Sequence, residues 1–294
     1  MSHPTPVSLQ ILGSFSATRN GQIVTLRRKT RALVAYLATI QQPQTRRKLM
    51  LLFCQEANSP SRALAVLLSR VRKQLGQAVL HTDGEMVQLD VTAVSVDLVQ
   101  FLAILEEDKQ APTVSQLETA VSLYRAEFVT GLTLDDAPEF EQWLLGQQAR
   151  FHHLQERGLI QLIDALVAQN ELAAALPHAQ RLVLHTPLLE DGHARLMLLY
   201  AQLGQREAAL RQFEHCQTVL QTELGVPLTP ALVQLKAQIG AGELRSSPPR
   251  LAETVLGPTA VSTADFVGRQ AEMTQLQNAW QRASSGSGLR DAGA

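Results

Sequence analysis

Apolar and polar residues alternate between Val7 and Leu26, and Asn20-Gly21 interrupts the alternation. A period of two is typical of a half-buried strand, and Asn-Gly is the strongest short hairpin signal. The pattern therefore predicts a small leading sheet that contains a hairpin. A second pair of short strands is predicted over residues 79–89, around Asp83-Gly84.

Between these two segments, apolar residues recur every three or four positions, which is the spacing of amphipathic helices. Three helices are predicted: Thr30 to Thr39, Thr45 to Cys54 with Thr45 as its N-cap, and Ser61 to Leu75, which stops at Gly76. A sheet, three helices and a closing hairpin, in this order, predict an α+β winged helix-turn-helix.

After Asp97 the strand pattern disappears. Helical patterns follow over residues 98–107, 114–124, 138–168, 171–184, 190–203, 206–224 and 230–239. The segment NELAAAL at Asn170–Leu176 aligns with GQREAAL at Gly204–Leu210, an offset of 34 residues, which is the period of tetratricopeptide repeats. Since such units stack helix hairpins, we expect an all-α, tetratricopeptide-like repeat domain after the winged helix.

Composition supports a globular protein and excludes several classes. The chain has 294 residues, 45% of them hydrophobic and 18% charged, which is enough for two cores. Neither a signal peptide nor a membrane-spanning apolar run is apparent, so we expect a cytoplasmic protein without a membrane partner. The two cysteines, Cys54 and Cys216, are far apart and outside any zinc motif, so we expect packed reduced thiols and no cofactor or metal.

Charge is distributed unevenly along the chain. Residues 1–97 contain twelve Lys and Arg against five Asp and Glu, a net charge of +7, whereas residues 98–240 contain nine against seventeen, a net charge of −8. A basic unit followed by an acidic one indicates that the first unit alone meets a polyanion. This predicts a winged-helix DNA-binding domain over residues 1–97 and a separate helical domain over residues 98–240.

The predicted helix from Ser61 to Leu75 separates its residue types clearly. A helical wheel places Leu64, Leu67, Leu68, Val71 and Leu75 in one arc of about 100°, which predicts a stripe facing the core. The opposite face is basic at its edges and small or apolar at its centre. Such a face suits a major groove, where Arg and Lys reach phosphates or guanine edges and valine contacts a thymine methyl.

Two other basic clusters, at residues 27–31 and 46–48, fall at or just before the predicted starts of the two preceding helices, where backbone N–H groups already favour a phosphate. The second hairpin adds His81 and Thr82. The predicted partner is double-stranded DNA, and the predicted DNA-binding residues are Arg62, Val66, Ser69, Arg70, Arg72, Lys73, Arg28, Lys29, Arg46, Arg47, His81 and Thr82.

Other interpretations of these residues stay open. The basic face can be merely solvated, and Arg72 can pair with Glu56 or Glu85. A second function class is a protein-interaction module that has lost DNA affinity. Ala65 and Val66 motivate it, because they place no hydrogen-bonding group at the centre of the face.

An enzyme is the weakest function class. The carboxylates Asp135, Asp136, Glu139 and Glu141 cluster at a predicted helix start, where acidic residues commonly serve as caps and dipole partners. No nucleophile or base accompanies them, and the adjacent pair His152-His153 points to different helix faces. Catalysis is therefore not expected.

Motifs in three parts of the chain resemble a known family. LAVLLSRVRKQLG at Leu64–Gly76 resembles an apolar helix ending in SRLRRxLG. YRAEFVTG at Tyr124–Gly131 and PEFEQWL at Pro138–Leu144 look like the YRGxFLxG and EFExWL motifs of bacterial transcriptional activation domains. The segment Ala208–Pro230 is similar to the closing EALRQYE and ELGVxPxP part of that domain. By these motifs the chain resembles SARP-type regulators over nearly all of residues 7–240.

The resemblance implies an OmpR-type winged helix that binds promoter repeats, and a helical domain that dimerises and contacts RNA polymerase or another transcription component. It thus implies a homodimer on DNA and an activator in signal transduction. The segment FVGRQAEM at Phe266–Met273 resembles the entry to a regulatory NTPase domain, yet no GxxxxGK[ST] follows. We expect residues 241–264 to form a linker and residues 265–294 to be a partly disordered, truncated or vestigial NTPase start.

Overall fold

The computed structural model describes residues 7–106 and 111–243. The first part of the chain forms seven strands and three helices. The strands are β1 (Val7–Gln10), β2 (Ser16–Arg19), β3 (Gln22–Ile23), β4 (Gln44–Thr45), β5 (Leu80–Asp83), β6 (Met86–Leu89) and β7 (Val94–Val96). The helices are α1 (Arg28–Ile40), α2 (Arg46–Phe53) and α3 (Pro60–Leu75). The predicted sheet, three helices and closing hairpin are confirmed.

The leading sheet has the strand order β3-β2-β1-β7. Its hairpin turns at Asn20-Gly21, as predicted, and both residues have the positive φ of a type I′ turn, 52° and 79°. β7 was not predicted, and it pairs in parallel with β1, with Val7 opposite Val94. A strand of three residues is too short to show a period in the sequence, and its partner lies nearly ninety residues away.

The second sheet has the order β4-β6-β5, and β5 and β6 form the wing. Asp83 pairs with Met86, so the turn is Gly84-Glu85. The predicted turn at Asp83-Gly84 was therefore one residue early. Gly84 takes the first central position, where φ is 52°, because glycine adopts this left-handed conformation without a steric cost.

The three N-terminal helices follow their predicted limits within two residues. Thr45 is the N-cap of α2, as predicted: its hydroxyl accepts a hydrogen bond from the Lys48 amide at 3.2 Å. In α3, the predicted apolar stripe is buried, with exposed fractions of 5% or less for Leu64, Leu67, Leu68, Val71 and Leu75. α3 is thus anchored by one face and leaves the other outside.

The rest of the described chain is helical. The helices are α4 (Asp97–Leu105), α5 (Val114–Leu123), α6 (Pro138–Ala168), α7 (Leu172–His185), α8 (Glu190–Gln202), α9 (Arg206–Glu223) and α10 (Pro230–Ala241). All seven predicted helices are present. From α6 to α10, each helix packs against the next one along the chain as an antiparallel neighbour. Within the described residues, none of the helices is both long and apolar enough to cross a membrane.

The sequence repeat is also a structural repeat. At the end of α6 the Glu171 amide donates to the Leu166 carbonyl at 2.9 Å, and 34 residues later the Gln205 amide donates to the Tyr200 carbonyl at 2.8 Å. The residue before each donor has a positive φ, 61° at Asn170 and 75° at Gly204. The two helix hairpins therefore turn by the same backbone geometry, as predicted.

A buried carboxylate joins the leading sheet to the helices. Asp97, at the start of α4, accepts hydrogen bonds from the amides of Ile11 at 2.9 Å and Leu12 at 3.2 Å. Arg125 donates to the same carboxylate at 2.7 Å. Burial raises the Asp97 pKa, while the two amides and Arg125 oppose that rise. One side chain therefore connects the segment after β1 to the start of α4 and to the segment that follows α5.

An aromatic cluster extends this contact. Tyr36 of α1 lies 4.8 Å from Trp143 of α6, and Phe53 of α2 lies 5.3 Å from Phe140, measured between ring centroids. Both Tyr36 and Phe53 are fully buried. One hydrophobic core thus runs through both parts, within a single compact unit that holds all described residues. The division at residues 97 and 98 stays a prediction, and most of the predicted linker and the NTPase-like segment lie outside the described residues.

Candidate nucleic-acid interface

The outer face of α3 contains the core of the predicted site. Arg62, Val66, Ser69 and Lys73 are all exposed, and so is Ala65. They lie opposite the buried stripe, so burying α3 leaves this face free for a ligand. Among the sixteen residues of α3 there is no acidic side chain. The face therefore presents positive charge that no carboxylate of the same helix neutralises.

Local signals explain where α3 begins and ends. Pro60 occupies the first helical position, where its missing N–H costs nothing. Gly76 ends the helix with φ 118°, and its amide donates to the Arg72 carbonyl at 2.9 Å. Arg72 and Lys73 stand in the last turn, where a positive charge stabilises the helix dipole. These two cations thus stabilise the helix and also add to its positive charge.

On one flank, α3 is bonded to the wing. The Arg72 guanidinium donates to the Thr82 hydroxyl of β5 at 2.8 Å. Among the ion pairs of residues 7–106 and 111–243, none joins Arg72 to Glu56 or Glu85, so that alternative was wrong. Both Arg72 and Thr82 are half-buried, whereas His81 beside them is exposed. Arg72 and Thr82 therefore fix the wing to the helix.

Arg46 holds the other end of the wing. Its amide donates to the Glu85 carbonyl at 2.8 Å, and its Nε donates to the Gly84 carbonyl at 3.1 Å. Its neighbour Arg47 is exposed at the start of α2. Of this predicted pair, Arg46 is thus engaged with the turn of the wing, and Arg47 projects outward.

The basic cluster at the start of α1 divides in the same way. Arg28 is exposed, whereas Lys29 forms an ion pair with Asp136, which precedes α6. Arg31 donates to the Leu26 carbonyl at 2.7 Å. Lys29 and Arg31 therefore stabilise the fold around them, whereas Arg28, like its neighbour Arg27, is exposed to solvent.

A groove runs along the second flank of α3. It has a volume of about 460 Å³ and lies between the start of α1, the end of α2, the turn after it and the first half of α3. Its lining residues are Lys29, Phe53, Cys54, Ala57, Asn58, Ser59, Arg62, Ala63, Val66, Leu67 and Arg70. We call it the α3 groove. Sequence reasoning missed it, because it depends on how three helices pack, and only the small residues Ala57 and Ala63 hint at it.

Cys54 forms part of this groove as a buried, free thiol. Burial raises its pKa above the ordinary value, and the nearby Lys29 ammonium opposes that rise. The thiol is therefore protonated at neutral pH and acts as a small apolar wall. Cys216 is likewise free and buried, with its pKa raised by burial to about 11.

The acidic cluster before α6 has structural partners. Asp136 pairs with Lys29, and the Glu141 carboxylate accepts a hydrogen bond from the Leu134 amide at 2.5 Å. Glu139 and Glu141 lie in the first turn of α6, where acidic residues stabilise a helix start. Three of the four carboxylates of this cluster, all except Asp135, therefore have a structural role.

Comparison with known proteins identifies the family. The model of the bacterial transcriptional activator domain matches residues 89–240, which is more than half of the chain. The chain belongs to this family. It is a SARP-type transcriptional regulator of the activator kind, as the three motifs predicted.

A solved structure shares this fold. Mycobacterium tuberculosis EmbR, in complex with a low affinity phosphopeptide, matches with a TM-score of 0.60 and 20% sequence identity over 81% of this chain and 66% of the EmbR chain. This regulator thus spans slightly less than two thirds of that protein. At this identity the match shows the fold, a winged helix followed by a helical activator domain. A search of curated proteins found no match.

Proposed function

We propose that this regulator binds double-stranded DNA in the cytoplasm by placing α3 in the major groove. The observation that carries the proposal is the outer face of α3, which is exposed, basic and free of carboxylates. Arg62, Ser69 and Lys73 offer donors to phosphates or guanine edges, and Val66 offers an apolar contact to a thymine methyl. Because its other face is buried, α3 has only this surface to present.

The wing and the helix starts supply the backbone contacts in this proposal. His81 of the wing, Arg47 at the start of α2 and Arg28 at the start of α1 are exposed on three elements. Arg70 adds a further cation on the groove flank of α3. Phosphate contacts of this kind set the position of the protein but carry no base information.

The helical part is proposed to contact RNA polymerase or another transcription component. Two copies then bind neighbouring promoter repeats as a homodimer. The charge distribution supports this division, since residues 98–240 have a net charge of −8 and suit a protein partner better than DNA. Exposed apolar residues in this part, Leu184 at 79% and Leu145 at 65%, offer contact area.

Salt dependence of DNA affinity tests the proposal. We expect the logarithm of the affinity for a labelled duplex to fall linearly with the logarithm of salt concentration, by about 0.9 per neutralised phosphate. Lys73→Ala and Arg47→Ala should each reduce this slope by about 0.9. Fluorescence anisotropy titrations at several salt concentrations measure it.

Arg211→Ala is the matched control, because Arg211 is a 70% exposed cation of α9 far along the chain from α3. It should leave both affinity and slope unchanged. An absence of salt-dependent duplex binding contradicts the proposal.

A protein-interaction module without DNA affinity is the second candidate. The exposed Val66, with 42% of its surface accessible, and the neighbouring Ala65 favour it, because apolar side chains suit a protein partner. In that case Arg62→Ala with Lys73→Ala would leave regulation of a reporter gene unchanged. Loss of regulation in this double variant supports DNA binding.

A further inference from the structure

The α3 groove combines an apolar interior with a positive rim. The buried side chains of Phe53, Cys54 and Leu67 form its inner wall, and the small Ala63 keeps it open on the α3 side. Lys29, Arg62 and Arg70 stand among the same lining residues. Groove and rim together provide one surface for an apolar body and another for an anion.

Charge within the groove is of one sign. Among the described residues that line it there is no carboxylate, although Asp136 pairs with Lys29 from outside the lining. A concave site with apolar walls strengthens the field of its cations, since less water lies between them and a ligand. Three cations line the groove, and Lys29 is the one that forms an ion pair within residues 7–106 and 111–243. The other two, Arg62 and Arg70, lie one helical turn on either side of Val66 and form none there.

DNA alone does not account for these features. A phosphate requires donors and positive charge, which exposed arginines supply without an apolar wall. A volume of about 460 Å³ lies within the range of small-molecule sites, which are mostly apolar with a few polar groups that fix orientation. The groove therefore fits an organic anion better than a bare phosphate.

We propose that the α3 groove binds a small amphipathic anion, an organic carboxylate whose apolar body lies against Phe53 and Leu67 and whose carboxylate pairs with Arg62 and Arg70. Arg62 and Val66 belong both to the groove and to the outer face of α3. The bound anion and DNA therefore exclude each other, and the ligand releases the regulator from DNA. This competition rests on the proposed DNA-binding function, whereas binding of the anion does not.

Calorimetric titration of the full chain with octanoate and with octanol tests the site directly. The two probes share an apolar body, and the charge is their main difference. We expect octanoate to bind about tenfold more tightly than octanol, since the pairing with two arginines is lost in the alcohol. Equal binding of both probes, or binding of neither, overturns the proposal.

A matched pair of substitutions locates the ligand. Ala63→Leu fills the groove, and Ala65→Leu makes the same change two residues away on the outer face. Ala63→Leu should weaken octanoate binding about tenfold and leave duplex binding intact, whereas Ala65→Leu should do the reverse. Circular dichroism confirms that both variants are folded.

Competition between octanoate and a DNA duplex provides a third test. Octanoate should displace a labelled duplex of about thirty base pairs from the unmodified protein but not from Ala63→Leu. If Ala63→Leu leaves octanoate affinity unchanged, or weakens duplex binding as much as Ala65→Leu does, the groove is not a separate anion site. If octanoate binds as expected while no duplex binds, the proposed function fails and the anion site stands.

Discussion

At the scale of single residues, several cations that the sequence assigns to DNA bond other parts of the protein. Arg72 donates to Thr82 of the wing, Arg46 donates to the Gly84 carbonyl, and Lys29 pairs with Asp136. Sequence reasoning identifies a basic residue and its helix face, but the partner of a long side chain depends on elements distant in sequence. Arg72 thus fixes the wing to α3, and Arg46 fixes the turn of the wing to the start of α2.

The hydrogen bond between Arg72 and Thr82 makes a prediction for DNA affinity. Arg72→Ala and Thr82→Val should each weaken duplex binding about fivefold, because each releases the wing from α3. The double variant should bind no more weakly than Arg72→Ala alone. Anisotropy titrations of the four proteins give this double-mutant cycle.

Lys73→Ala combined with Thr82→Val is the control, since Lys73 is exposed and has no bond to the wing among the described contacts. Its two effects should add. Additive effects of Arg72→Ala and Thr82→Val would mean that Arg72 acts on DNA by itself and does not hold the wing.

At the scale of helices and strands, the sequence predicts long periodic segments well and short ones poorly. Both ends of the 31-residue helix α6, Pro138 and Ala168, were predicted correctly, because its apolar period is repeated many times. β4 and β7 were missed, since two or three residues contain no period and gain their stability from a distant partner. The groove beside α3 was missed for the same reason: it exists only once α1, α2 and α3 have packed.

The helix-hairpin turns provide a prediction at this scale. Gly204 has φ 75° and no neighbouring atom within 4 Å of the position a Cβ would take, so backbone strain alone decides the cost of a side chain. Gly204→Ala should lower the free energy of unfolding by about 1 kcal/mol. Urea denaturation followed by circular dichroism measures it.

Asn170→Gly is the paired variant, because Asn170 occupies the same left-handed position one repeat earlier with φ 61°. Asparagine tolerates this conformation, so its replacement should change the free energy of unfolding by less than about 0.5 kcal/mol. A cost for Asn170→Gly as large as that for Gly204→Ala would point to a side-chain role of Asn170 instead.

At the scale of the whole molecule, two of the motifs that resemble the activator family, Tyr124–Gly131 and Pro138–Leu144, lie where the winged helix meets the helices. Arg125 of the first motif donates to Asp97, and Trp143 of the second contacts Tyr36. The sequence identified both motifs but not their contacts, because the partners are distant in sequence: Asp97 lies 28 residues before Arg125, and Tyr36 lies 107 residues before Trp143. These motifs therefore connect α1 and the segment after β1 to the helical part.

Trp143 is half-buried and packs against the buried rings of this contact. It also lies 5.5 Å from Phe140 and 6.1 Å from Phe128, measured between ring centroids. Trp143→Ala should lower the free energy of unfolding by about 3 kcal/mol, the cost of removing a large aromatic side chain from a core. Leu145→Ala is the control on the same helix, and since Leu145 is 65% exposed its effect should stay within about 0.5 kcal/mol. Equal effects of the two changes would show that the aromatic cluster adds little.

The hydrogen bonds to the segment after β1 also determine the order in which the fold forms during protein synthesis. Residues 7–13 leave the ribosome early, yet their partners come late: Asp97 is 86 residues from Ile11, and the Val129 amide that donates to the Ile11 carbonyl at 2.9 Å comes later still. Contacts between residues so far apart in sequence form slowly. The leading sheet therefore stays incomplete while the wing and α1 to α3 can already pack, and its closure waits until residues 94–130 have been made.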